Sequence, residues 1–418
     1  MATWTNLWRG WFFLLVVYWV LGESMTRVKI FGQLSLSAAW VLLAFISGVF
    51  LVVLSFPKLN LPWINRRSWS WRTYRWLVGF WLLLLLEGGV LLVMNIFMGV
   101  PYSGDWLYPA LQELTSWGLY GFSVLGAAIL ICPNLRRASR IATLLKLVFV
   151  VSLVFVVINP TRSLAAEVAV AGSAVTFLAR PAYRWFLFFI TAGVLAASGS
   201  RMAVLAFIAG HLFTYLFFLK LMKPRTWYPP FVLAAVMLAS APIFLRTQAG
   251  ERSVELIQTV LEAGVEGVLE TGEGAYLTQG RSIVWPAIVD HSFQRAFFGH
   301  GPGTASAYAY YVSQNSRFQH PHNEYLRVFH NYGLVGLLAF LGFYSAILVY
   351  ARSSLGFVRK SGKQLWFHAL VASTLTSLLL FATDNAGLYV FVMSIHGVLV
   401  GAALCLGAFC CAGVSRGL

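Results

Sequence analysis

The chain has 418 residues, 59% of them hydrophobic and only 11% charged, with a mean hydropathy of +0.75. A soluble domain carries about 25% charged residues. That class is excluded, and the chain is predicted to be an all-α, polytopic membrane protein whose backbone is satisfied within spanning helices. The formal charge of +16 is read as topology and contact with anionic membrane lipids, with no nucleic-acid-binding domain in view.

A span needs about 20 predominantly apolar residues. Twelve such stretches follow in chain order: 7–22, 34–56, 76–98, 109–132, 141–158, 164–179, 183–199, 201–221, 227–245, 332–351, 364–382 and 388–411. The first resembles a signal peptide in outline. Leu21-Gly22-Glu23-Ser24 is a poor cleavage site, so it is retained as a helix. Tryptophans 4, 8, 11, 63, 69, 71 and 76 cluster near span ends, as in an aromatic belt.

Charge orients the spans. With the N-terminus inside, the cytoplasmic segments collect Arg9, the run from Lys58 to Arg75, Arg136 to Arg140, Arg180 and Arg184, Lys220 to Arg225, Arg352 to Lys363, and Arg416. They contain no Asp or Glu, in line with the positive-inside rule. Both termini are therefore predicted to be cytoplasmic. The carboxylates are placed outside, with Glu113 and Glu167 near the outer ends of spans 109–132 and 164–179, except Glu87, which lies within a span and is expected to face the bundle with a partner or to be protonated. The chain divides into a bundle over 1–245, an external loop over 246–331 and a second bundle over 332–418.

The loop is predicted to be partly helical. Val254, Ile257, Leu261, Val265 and Val268 recur at helical spacing over 251–270, and Gly280-Arg281 opens a second helix. Gly299-His300-Gly301-Pro302-Gly303 is a tight turn, where Gly301 and Gly303 let backbone N–H groups approach an anion. The loop ends in RFQHPHNEYLRVFHNYGLVG, residues 317–336, which is dense in polar groups beside a long apolar run. A cysteine-free loop implies no disulfide scaffold.

Two arginines stand out. Arg201 follows Ser198-Gly199-Ser200 and opens a span, and Arg281 opens the loop helix. Guanidinium forks bind phosphate oxygens and keep their charge, and a helix N-terminus adds to an anion site. Two such groups suit a diphosphate leaving group. The bland alternatives are snorkelling for Arg201 and a solvated charge for Arg281. His322 has the intrinsic pKa for a general base; its bland role is a capping histidine. His320, Asn323, Glu324, Arg295, Arg317 and Arg327 are candidate substrate contacts. The histidines suggest zinc, yet no second ligand set at metal spacing accompanies them, so no metal or cofactor is called for.

Together, Arg201-x3-Leu205, Gly280-Arg281 with Trp285, Gly299-x-Gly301-x-Gly303 and His322-Asn323-x9-Gly333-x2-Gly336 resemble the O-antigen ligase and polymerase superfamily. The resemblance covers the twelve-span plan and is sharpest over 195–340. It implies metal-independent, inverting transfer of a glycan from undecaprenyl diphosphate on the periplasmic face of a bacterial inner membrane. His322 would be the base, and Arg201 and Arg281 would hold the diphosphate. The other external loops are short, and the chain ends just after its last span. These features favour a ligase, with lipid A-core as acceptor and lipopolysaccharide as product, over a polymerase or a protein O-oligosaccharyltransferase. A twelve-helix transporter or flippase is the alternative of another class. A transporter would more naturally show related halves, whereas here the polar weight lies in one loop.

Overall fold

Without water to bond, a backbone in hydrocarbon closes its hydrogen bonds within helices, and the computed structural model of this chain is built accordingly. It describes residues 2–25, 28–31, 34–55, 69–100, 106–132, 136–218, 281–315, 320–358 and 363–414, with isolated positions at 254 and 258. The helices are α1 (Ala2–Met25), α2 (Leu36–Ser55), α3 (Trp69–Met98), α4 (Leu107–Ile131), α5 (Arg136–Ile158), α6 (Arg162–Leu178), α7 (Pro181–Ala197) and α8 (Arg201–Phe218). They continue with α9 (Arg281–Phe293), α10 (Thr304–Ser313), α11 (Glu324–Val358), α12 (Gln364–Phe381) and α13 (Val390–Val414). A small hairpin, β1 (Lys29–Phe31) and β2 (Leu34–Ser35), precedes α2, and a 3₁₀ turn, Ala386–Leu388, precedes α13.

Among the described residues, eight helices are long and apolar enough to cross a membrane, and Pro181–Ala197 is a shorter apolar helix. Every predicted span coincides with a helix except 227–245, which lies outside the described residues. The predicted 251–270 helix and the glycine-rich 271–280 segment also lie outside them, apart from positions 254 and 258.

The centre of the bundle is α13, buried along its whole apolar length and packed on α4. Hydrophobic attraction between helices is absent in lipid, so close approach of small residues takes its place. Gly397 and Gly401 supply it. A Cβ at Gly397 would lie 2.7 Å from the Tyr120 carbonyl oxygen, and one at Gly401 would strike that of Val124. His396, beside this seam, bonds Tyr120 Oη at 3.0 Å and Thr374 Oγ1 at 2.8 Å.

One expectation is corrected. Trp8 and Trp11 are buried, at 0% and 2% exposure, and are not at an interface. They meet edge to face over Gly126, and Trp11 donates to the Ala44 carbonyl at 2.8 Å, which satisfies the indole inside the bundle. Glu87 faces the bundle as expected, beside Gly336, and its buried oxygens have no hydrogen-bond partner among the described residues, which leaves the protonated form of that expectation.

The paired-glycine motifs have a packing cause. The turn after α9 docks onto α11 through main-chain bonds: His300 N–H to His330 O, Gly301 N–H to Asn331 O, and Leu334 N–H to Ala296 O. Gly333 has φ 61° and ψ −159°, which breaks α11 where the turn arrives. A side chain there would collide with the Phe297 backbone. Below the turn, Arg327 is paired with both Glu113 and Glu324, all three fully buried. Glu113 also accepts from Asn331 Nδ2 at 2.8 Å and from Gly303 N–H at 3.2 Å.

Candidate functional site

The loops before α6 and α8, the start of α9 at Arg281 and the loop after α12 meet at one end of the bundle. They enclose a cavity of about 200 Å³ lined by Thr161, Arg162, Ser200, Arg201, Arg281 and Asp384, among others. Two helices begin at its wall. Thr161 caps α6 by accepting from Leu164 N–H at 3.3 Å, which makes Arg162 the first helical residue. Gly199, at φ 73°, turns the chain so that Arg201 starts α8. Helix N-termini present unpaired N–H groups and the positive end of the dipole. With three guanidinium groups added, the cavity is strongly cationic.

Arg281 is held rigidly. Its Nη2 donates to the Thr383 carbonyl at 2.8 Å, and its guanidinium lies 5.9 Å from the Trp285 ring centroid. Trp285 is itself fixed by donating to the Pro321 carbonyl at 2.5 Å. The Arg281 Nε is buried without an acceptor among the described residues. Burial, together with the Arg162 cation and, beyond it, Arg201, pulls the Arg281 guanidinium below its ordinary pKa, and Asp384 opposes this. Anionic oxygens in the cavity would relieve both penalties.

His322 stands at the rim. Its Nε2 is 3.5 Å from Arg162 Nη1, and its Nδ1 is 3.5 Å from Asp384 Oδ1. The residue has φ 49°, a left-handed conformation that non-glycine residues seldom adopt and that clusters at functional sites. Asp384 is oriented by Asn385 N–H at 2.8 Å and Tyr389 Oη at 3.0 Å, both on Oδ1. Burial raises the pKa of its carboxyl, but contacts from His322, Asn385 and Tyr389 outweigh burial and hold it below the usual value.

The other predicted residues divide. His320 bonds Ser306 Oγ through Nδ1 at 3.0 Å, and burial, with His322 and Arg327 nearby, lowers its pKa to about 4. Asn323 Oδ1 accepts from Leu326 N–H at 3.0 Å, which is a helix-start contact. Glu324 and Arg327 belong to the buried ion cluster. Gly301 and Gly303 are buried, with N–H groups donating to protein acceptors. The anion approached by Gly303 is therefore the chain's own Glu113. Arg295 lines a different cavity, beside His291 and His300. Arg317 lies outside the described residues.

Residues 186–341 match the family model described as O-antigen ligase. That segment is an O-antigen ligase superfamily domain. No match is found among curated proteins. The matched segment contributes Arg201 and Arg281 to the cavity and His322 beside it, whereas Arg162 and Asp384 come from outside that segment. Sequence reasoning missed these two. The signal for Arg162 was present: an arginine on the face that the positive-inside rule leaves poor in cations. Asp384 had a weaker one, as a carboxylate at the end of an apolar span.

The family match over 186–341 supports a glycan-transfer role in a membrane setting. The arrangement suits it chemically: fixed cations for an anionic leaving group, beside an imidazole backed by a carboxylate.

Proposed function

We propose that this chain is an O-antigen ligase, which transfers glycan from undecaprenyl diphosphate to a sugar hydroxyl of lipid A-core to yield lipopolysaccharide. The observation that carries this reading is the convergence of Arg162, Arg201 and Arg281 on one cavity with His322 and Asp384 at its edge. In the transfer, the acceptor oxygen attacks the anomeric carbon from the face opposite the diphosphate, so the configuration inverts. The bond from that carbon to the phosphate oxygen breaks, and its electrons leave with the diphosphate. The acceptor proton passes to His322 Nε2, while Nδ1–H points to Asp384, which sets the tautomer and stabilises the imidazolium. The arginine forks and helix N-termini stabilise charge that grows on the leaving group. Apo contacts of 3.5 Å are compatible with this, because catalytic hydrogen bonds often tighten on substrate binding.

The cavity is assigned to the periplasmic face of a bacterial inner membrane, in a twelve-span chain with both termini cytoplasmic. In this reading the segment 246–331, between bundles 1–245 and 332–418, supplies Arg281 and His322 to the reaction. Charge counting supports the orientation. The geometry fits the alternation of the spans, because loops that it puts on one side supply the cavity together.

The genetic test separates the superfamily reactions. Deletion is expected to leave polymerised O-antigen on the undecaprenyl carrier. Accumulation of single repeats would instead assign a polymerase. Unpolymerised glycan trapped on the cytoplasmic face would assign a flippase.

A further inference from the structure

A second polar cluster lies outside the cavity just described. His291 ends α9, His300 sits in the glycine turn, and His330 lies in the first turns of α11. Each offers a ring nitrogen within 4.8 Å of those of the other two. We propose that these three histidines form a binding site for a divalent transition-metal ion of the zinc class, which staples the turn to both helices. Three neutral imidazoles with no carboxylate select Zn2+, Ni2+ or Cu2+ over Mg2+ or Ca2+.

The surrounding hydrogen bonds have the form of a metal site's outer shell. His300 Nε2 donates to the His291 carbonyl at 3.0 Å, which leaves Nδ1 with its lone pair. His330 Nδ1 faces Asn331 Oδ1 and Thr304 Oγ1, each at 3.4 Å, which leaves Nε2 as an acceptor or ligand. That Nε2 is 3.0 Å from His291 Nδ1. Two nitrogens on one tetrahedral zinc, each about 2.0–2.1 Å from it, stand roughly 3.4 Å apart, so little expansion is needed. A cavity of about 390 Å³, bordered by Asn95, Gln294, His291 and His300, offers an entry path and room for a water as fourth ligand.

Two features oppose binding and set its character. The rings stack with planes 21–24° apart, so coordination requires them to rotate until their lone pairs converge. Arg295 is close to His291 and His300 and repels a dication. The affinity is therefore expected to fall below that of a closed four-ligand site.

The test uses full-length protein in detergent, purified with a histidine-free tag and stripped with chelator. On adding Zn2+ and desalting, elemental analysis should find one ion per chain and the melting temperature should rise. Co2+ should give the visible absorption of a tetrahedral or five-coordinate nitrogen site. His291→Gln and His300→Gln should each lose the bound ion and the Co2+ bands, while His322→Ala keeps them. Substoichiometric Zn2+ with no thermal shift in the parent would overturn the proposal. So would stoichiometric binding that survives in both Gln variants. If His300→Gln does not fold, the parent Co2+ spectrum and the half-buried His291 position still decide the matter.

Discussion

His322 Nδ1 lies 3.5 Å from Asp384 Oδ1, joining the segment before α11 to the loop after α12. This contact gives the two imidazole nitrogens different environments: Nδ1 faces a carboxylate, and Nε2 faces the arginine-lined cavity. A base needs such an asymmetry, and Nε2 takes the incoming proton once the long 3.5 Å contact from Arg162 is given up to the substrate.

Asp384→Asn should therefore lower turnover more than it raises KM. Losing a hydrogen bond to a charged group costs about 1.5–3 kcal/mol, or roughly 10–100-fold in rate. Steady-state transfer kinetics, with donor binding measured separately, check this. A variant with parental kcat would remove Asp384 from the account.

Arg281→Lys and Arg201→Lys should both weaken use of the donor. Lysine keeps the charge but loses the planar fork that holds two phosphate oxygens together. For Arg281, lysine also loses the donation to Thr383 and the fit over Trp285. Transfer at limiting donor is the sensitive measurement, with a rise in donor KM expected. Parental rates in both variants would contradict the clamp.

Much of the helical plan was legible because long apolar stretches favour helix; α6 and α7 are helices too, but neither is among the eight long and apolar enough to cross a membrane. The docked turn was legible as glycines but not as a mechanism. Only the structure shows that Gly333 opens α11 to receive residues 296–301. Arg201, Arg281 and His322 carried readable local motifs. Arg162 and Asp384 did not, because their roles arise from the approach of loops distant in sequence. Glu324 and Arg327 misled for a related reason. A polar pair next to a candidate base reads as substrate contact until a distant partner, Glu113, is seen to bury it. The histidines were misgrouped too: His330 belongs with His291 and His300, apart from His320 and His322.

Stability should fall as the medium is acidified from about pH 6.5 toward about 4. His320 has a folded pKa of about 4 against an ordinary 6.5, so in that window the unfolded chain takes up a proton that the folded chain does not. Stability is thus present above 6.5 and is lost on the way down. Melting temperature against pH should show this slope, and His320→Gln should reduce it. A slope unchanged in the variant would contradict the assignment.

Orientation is testable at exposed sites. In a cysteine-free background, Gln314→Cys should react with a membrane-impermeant thiol reagent in cells with a permeabilised outer membrane, while Arg140→Cys should not. The reverse pattern would invert the topology.

The most direct test is a transfer assay with purified protein, undecaprenyl-diphosphate-linked glycan and lipid A-core, comparing the parent with His322→Ala. A sugar hydroxyl is a poor nucleophile, and general-base catalysis contributes typically 10²–10⁴-fold. The parent should form ligated product. The variant should retain about 1% of that rate or less, while keeping the parent's melting temperature and donor binding. Near-parental transfer by His322→Ala, or a loss of activity matched by a loss of stability, would contradict the assignment of His322 as the base.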